Sequence, residues 1–312
     1  MRKHNPLITA VTAGALMTLP SLAAATEVVT SIKPLELLVH AIAGEDTHTS
    51  TIVPAGSSPH TYTMKPSQRR AMEKADVIFW VGPEMESFLT RLLSGEDFHA
   101  KAISLISEDN SEYREAEDNH RDEEHSGHSH GTHDHGEGED PHIWTDPQRA
   151  VEMAEKIRDA LAELDGADKK SLDRNFTRFR EQVAETESGI RARLTSVHDI
   201  SLFAYHDAFT RFAEHYNLEL ADVLTLNPEL SPGARHIAEV QTKLKKATHP
   251  CLLTEPQFNR QWWTSITRGL DVSFSTWDPL ATDIEVTKTG YLDFQNSIAD
   301  AVLKCLPENA QH

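Results

Sequence analysis

Four polar residues stand where short β-type runs end or where a polar insertion closes, and their types converge on one chemistry. His60 lies in the 54–65 loop after a predicted strand at 47–53, and His142 follows the insertion at 107–140. His206 directly follows the apolar run 201–205, and Asp278 directly follows the run 272–277. Ligands of open α/β sheets gather at the carboxyl ends of the strands, so three imidazoles and one carboxylate from four βα junctions are candidate ligands of one ion. Three neutral imidazole nitrogens with one oxygen suit tetrahedral Zn²⁺ well, and Ca²⁺ or Mg²⁺ badly. Manganese usually takes more carboxylate, whereas iron, copper, cobalt and nickel accept the same ligand types. The blander readings are a loop or cap role for each His and a turn role for Asp278, which precedes Pro279. Glu255 is a fifth junction residue, expected to support a ligand rather than to be one. His40, His48, His99, His198, His215, His236 and His249 lack such placement and read as ordinary.

The elements that must position these groups alternate in type along the chain, as α/β layers do. The first half reads as strands at 27–32, 47–53, 76–81 and 101–106, with helices at 34–43, 67–75 and 83–93. The second reads as strands at 200–205, 219–226, 251–254 and 272–277, with helices at 207–216, 234–247, 257–270 and 289–304. Between them, Asp146 and Pro147 read as N-cap and first residue of a helix that Gly166 ends. A helical pattern then runs over 167–197, with Leu172, Phe176, Phe179, Val183, Ile190 and Leu194 on one face. At 1.5 Å per residue it spans roughly 45 Å, longer than a small domain is wide, and so it reads as a backbone between lobes. The expected organisation is an N-terminal lobe over 26–166, a connecting helix over 167–197 and a C-terminal lobe over 198–312, with one cleft between the lobes.

Charge and composition restrict the function classes. In 312 residues, 49 Asp and Glu stand against 30 Lys and Arg, a net charge of −19, so nucleic acid and anionic lipid surfaces are unsuitable partners. Eighteen His is an excess that points to metal. Residues 1–25 read as a secretory signal: Arg2 and Lys3 lead an apolar stretch over 7–19, and Ala23 and Ala25 fit a cleavage site. No later apolar run is long enough to span a membrane. The 34 residues at 107–140 hold 13 Asp or Glu and six His (His120, His125, His128, His130, His133 and His135), a composition that cannot bury enough to offset chain entropy and therefore reads as a disordered loop. In an exported chain Cys251 and Cys305 read as a disulfide rather than a metal pair, stapling the C-terminal region by roughly 4 kcal/mol in the loop-entropy model; the alternative is two buried thiols.

The same residues carry a family resemblance. The stretches 58–69, 76–86, 142–144, 205–208, 227–234, 255–258 and 278–280, with the His-rich acidic insertion, closely resemble the ZnuA family, the zinc-binding proteins of bacterial zinc ABC importers, within the cluster of solute-binding proteins for zinc and manganese. The resemblance implies two βα lobes bridged by a rigid helix, with zinc at their interface. It places the family's three zinc histidines on His60, His142 and His206, its carboxylate on Asp278 and its disulfide on Cys251 and Cys305. Manganese-type relatives carry Glu at the place of His206, so the imidazole there favours zinc. One departure is Pro59, where some relatives have a Glu; Asp278 or water is left as fourth ligand.

The expected function is that of a periplasmic carrier. It would capture Zn²⁺ as transported substrate and deliver it to an inner-membrane permease driven by a cytoplasmic ATPase, acting as a monomer without membrane insertion after signal cleavage. The six loop histidines would be auxiliary, weaker zinc sites. A secreted zinc-dependent hydrolase is the rival from another class, since three His with an open fourth position also describe catalytic zinc. No H-E-x-x-H is present and no general base is identifiable. A stand-alone periplasmic zinc buffer is the third reading.

Overall fold

The structure, a computed structural model, describes residues 25–106, 140–197, 199–225, 233–258 and 261–307. The expected signal segment apart from Ala25, the six loop histidines and the 226–232 stretch lie outside the described residues. No helix among the described residues is long and apolar enough to cross a membrane.

Strands β1 (Thr26–Thr30), β2 (Thr47–Thr51), β3 (Val77–Trp80) and β4 (Ala102–Ser104) form a wholly parallel sheet in the order β2-β1-β3-β4. Its crossovers carry α1 (Lys33–Ile42), α2 (Pro66–Lys74) and α3 (Ser87–Leu93). The second sheet repeats the plan: β5 (Ser201–His206), β6 (Leu220–Thr225), β7 (Pro250–Thr254) and β8 (Ser273–Thr276) run parallel in the order β6-β5-β7-β8. A 3-10 turn (Ile143–Thr145), α4 (Pro147–Ala162) and α5 (Lys169–Leu194) join the sheets. The second half adds α6 (Thr210–Tyr216), α7 (Ala234–Lys246), α8 (Gln261–Ile266) and α9 (Gly290–Leu303). The architecture is therefore two α/β lobes with parallel sheets, as expected.

The central strands carry a largely apolar middle, Val28–Val29 in β1, all of β3, 202–205 in β5 and 251–253 in β7, because helices cover both sheet faces. All four residues of β3 are buried, as are five of the six in β5. In each sheet the strand order reverses beside the first strand, between β1 and β3 and again between β5 and β7. These two switch points are where α/β sheets open a crevice at their carboxyl ends.

The core explains how the lobes stay together. Leu35, Leu38 and Ile42 of α1, Ile157 of α4, Phe176, Phe179 and Val183 of α5, and Phe294 and Ile298 of α9 belong to one continuous buried cluster. The outer sheet faces have separate smaller clusters, around Phe98 in the first lobe and Trp263 in the second. Helix α5 spans 26 residues, about 39 Å. Its Asn175 donates to the carbonyl of Ile42 at the end of α1, while its Arg193 reaches Asn296 and Asp300 on α9. A tight approach completes the seam at Gly290, where a Cβ would stand 2.9 Å from Leu37 of α1 and 2.6 Å from the Glu285 carbonyl.

Several elements are shorter than the periodicity predicts, for a shared reason. The helix expected at 83 begins at Ser87, that at 207 begins at Thr210, and that at 257 begins at Gln261. In each case the first residues after the strand form a turn instead. Glu86 N–H donates to the Gly82 carbonyl, Ala208 N–H to the His206 carbonyl, and Phe258 N–H to the Glu255 carbonyl. These turns lie at the carboxyl ends of the sheets, where the candidate ligands stand. A disulfide joins Cys251 in β7 to Cys305 just beyond α9, with Cα atoms 5.7 Å apart.

Candidate metal centre

His206 is the last residue of β5, so the strand itself fixes its backbone beside the β5–β7 switch point. His60 comes from the loop between β2 and α2. His142 opens the 3-10 turn, and its carbonyl accepts from both the N–H and the hydroxyl of Thr145. These three rings, from sequence positions far apart, meet: their centroids lie 5.5 Å apart for His60 and His142, 5.3 Å for His60 and His206, and 4.8 Å for His142 and His206. One nitrogen from each lies within 4.8 Å of the others. Two imidazoles on a tetrahedral zinc at about 2.05 Å have nitrogens about 3.3 Å apart, so small side-chain rotations bring this trio onto one ion.

Two carboxylates hold two of the rings. Asp140 Oδ1 lies 2.7 Å from His142 Nδ1, and also accepts from the His142 backbone N–H. Glu255, directly after β7, places Oε2 3.3 Å from His206 Nδ1 across the switch point. A carboxylate on one ring nitrogen fixes tautomer and orientation and leaves the other nitrogen for a metal. Both rings are nearly solvent-free, at 4% and 3% exposure for His142 and His206. His60 Nε2 is buried with no hydrogen-bond partner. Buried polar atoms are nearly always satisfied, so an orphan facing two other imidazoles is what a ligand position looks like without its ion.

Electrostatics keep that lone pair available. Burial, and then the neighbouring His142 and His206, push His60 down to about pH 3, with only a small opposing pull from Asp140. For Asp140 burial works upward, but the hydrogen bonds and charge of His142 and the charge of Arg211 outweigh it, holding the carboxyl below its ordinary range. Ser58, Pro59, Trp144, Gln257, Phe258, Pro279 and Leu280 complete the walls of a narrow cleft around the trio. Trp144 ties the two sides of the cleft together. Its indole N–H donates to the Pro279 carbonyl at 2.7 Å, and its own carbonyl accepts from the Tyr291 hydroxyl of α9.

Asp278 is not in the group. Its Oδ1 accepts from the Leu280 N–H and the Gln257 side chain, and its Oδ2 accepts from the Thr282 N–H at 2.7 Å. Both oxygens are thus spent on the turn that carries Pro279 and Leu280 into the cleft wall. The expectation of a ligand there meets the turn role that Asp before Pro commonly has. Asp140 is the opposite case. Assigned by composition to the disordered insertion, it is an ordered part of the centre, with Arg211 of α6 donating to its carbonyl at 2.8 Å. The only signal for it in the sequence is its place two residues before His142. His215, read as ordinary, links α6 to the interlobe helices: Nδ1 lies 3.3 Å from Asp146 and Nε2 3.1 Å from Glu187.

Among the described residues the three histidines are the group of His, Cys, Asp and Glu side chains placed to hold a metal ion. Known proteins share this framework. A crystal structure of ZnuA superposes with a TM-score of 0.70 at 22% identity, covering 89% of this chain and 99% of that one, which bears on the fold. A Yersinia pestis high-affinity zinc uptake system protein ZnuA is 34% identical over 318 residues, covering 98% of this chain and 99% of the relative. A Haemophilus ducreyi protein of the same description is 31% identical over 291 residues, covering 90% of this chain and 94% of its own. The family model for ZnuA, zinc-uptake complex component A, periplasmic, matches residues 28–305, and the chain belongs to that family.

Proposed function

We propose that the protein is the periplasmic solute-binding component of a zinc ABC importer: it captures Zn²⁺ in the interlobe cleft on His60, His142 and His206 and hands it to a membrane permease driven by a cytoplasmic ATPase. The observation that carries this reading is the approach of three imidazole nitrogens to within 4.8 Å of one another in a buried cleft, one of them an orphan. An all-imidazole trio favours zinc over the harder, carboxylate-seeking cations. Asp278 supports the site by holding the 278–282 turn, and water from the cleft supplies the fourth position. The signal at 1–25 directs export, and the mature chain works as a monomer.

Capture and release need only small movements. The lobes share one continuous core, and α5 is bonded to both α1 and α9. The 107–139 stretch gathers zinc weakly on its six histidines and raises its concentration beside the cleft. Family membership favours carriage over hydrolysis, and delivery to a permease distinguishes the carrier from a buffer.

The test is metal analysis of protein purified without added metal, followed by competitive titration with Zn²⁺, Mn²⁺, Cu²⁺ and Ni²⁺. Retention of one tightly held zinc is expected. Preferential retention of manganese at pH 7.5 overturns the assignment.

A further inference from the structure

We infer that Arg211 and Asp140 form an interlobe positioning pair for His142, so that opening the cleft and disorienting this ligand are one event. The inference rests on the zinc-capture reading and deepens it.

The contacts form an unbroken path between two candidate ligands from opposite lobes. His206 ends β5, and Arg211 stands five residues later on α6 of the same junction. The Arg211 guanidinium donates through Nε to the Asp140 carbonyl at 2.8 Å and through Nη2 to the same oxygen. It also lies 3.4 Å from Asp140 Oδ2, which has no hydrogen bond of its own. Asp140 Oδ1 in turn holds His142 Nδ1 at 2.7 Å. Asp140 is only 18% exposed at its side chain and Arg211 only 13%, so water does not readily replace either partner.

A charge-assisted contact of this kind is short-ranged and directional. Widening the cleft by one to two ångströms, roughly the reach of a hydrogen bond, separates Arg211 from Asp140. Asp140 is the first described residue after 107–139, and Arg211 is the group from the other lobe that fixes it. Once free, its carboxylate no longer fixes the His142 ring, and the metal loses an oriented ligand as the lobes part. Arg211 is therefore a positioning residue at one remove: it sets how long zinc stays by setting Asp140.

The test uses the full chain with Asp140→Ala, Arg211→Ala, Arg211→Lys and the double alanine variant. Zinc affinity is measured by competition with a chromophoric chelator, and release by transfer to excess chelator. Urea unfolding of the metal-free forms follows folding separately. Loss of a group that orients a metal-bound imidazole typically costs about tenfold to a hundredfold in affinity. Asp140→Ala is expected in that range, with Arg211→Ala about tenfold weaker and faster in release. The double variant should be no worse than Asp140→Ala, because the two residues act in series. Lys keeps the charge but not the paired donors, so Arg211→Lys should recover part of the loss. Affinity and release within twofold of the parent for both single variants, or losses that simply add in the double variant, overturn the pair. Failure of the parent chain itself to bind zinc defeats the capture reading, and the inference with it.

Discussion

Glu255 Oε2 lies 3.3 Å from His206 Nδ1, across the gap between the two strands where the second sheet reverses its order. Strand β5 delivers the imidazole and β7 the carboxylate, so two neighbouring strand ends set one ring. Glu255 is fully buried and its Oε1 has no hydrogen-bond partner, so among the described residues His206 is the polar contact of its side chain in the cleft. Substituting Glu255 by Gln should weaken zinc binding at the tight site by about tenfold or more while leaving one such site per chain. Competitive titration of the variant checks this, and an unchanged affinity would detach Glu255 from the site.

Asp278 makes the contrasting prediction. Because both carboxylate oxygens already accept hydrogen bonds from its own turn, Asp278→Asn should lower stability by about 1–2 kcal/mol. Its zinc affinity should change far less than that of His60→Ala. A loss as large as that of the histidine variant would make Asp278 a ligand.

The pH dependence of the metal-free protein should carry two histidine signatures of opposite sign. His60 is depressed from 6.5 to about 3 by burial and by His142 and His206, so as pH falls the unfolded chain takes up a proton that the folded one refuses. Its contribution is fully present above about pH 6.5 and is lost toward pH 3, at up to about 1.4 kcal/mol per pH unit. His60→Gln should flatten that acid limb in urea-unfolding measurements. An unchanged slope would contradict the depressed value.

His215 runs the other way. The hydrogen bond its ring donates to the Asp146 carboxylate raises it, and the charges of Asp146 and Glu187 add to the effect against burial, with Arg191 the nearby cation. Its stabilising contribution is fully present below pH 6.5 and fades as pH rises through its elevated folded value. His215→Gln should therefore cost about 1–2 kcal/mol at pH 6 and clearly less at pH 9. Equal losses at both pH values would mean that the ring packs without its charge.

Reduction of the Cys251–Cys305 disulfide, which closes a 54-residue separation, should destabilise the chain by about 4 kcal/mol in the loop-entropy model. The readout is urea unfolding with and without reductant. Thiol titration of the unreduced protein should find none.

The parts of this centre that could be read in the sequence are those where one residue follows directly on a regular element. His206 follows an apolar run of strand length, and Glu255 follows another. The alternation of strand and helix likewise exposed the two lobes, because parallel strands buried on both faces carry short apolar runs bounded by polar residues. Asp140 was hidden by its surroundings: it closes an acidic stretch, and composition cannot separate a solvated carboxylate from one folded against an arginine 71 residues away. Arg211 and His215 were hidden likewise, since nothing in α6 announces that the helix faces the other lobe. Asp278 was ambiguous in principle, because Asp-Pro after a strand is the same signal for a ligand and for a turn. The late starts of α3, α6 and α8 have a related cause, since the turns at the strand ends take residues that helical periodicity would assign to a first helical turn.

The most direct test of the central claim is zinc K-edge absorption on the chain lacking 107–139, loaded with one equivalent of Zn²⁺. The deletion removes the six competing histidines and keeps Asp140. A shell containing three imidazole nitrogens at about 2.0 Å is the predicted result. A shell with one imidazole or none, filled instead by carboxylate and water oxygens, would contradict it.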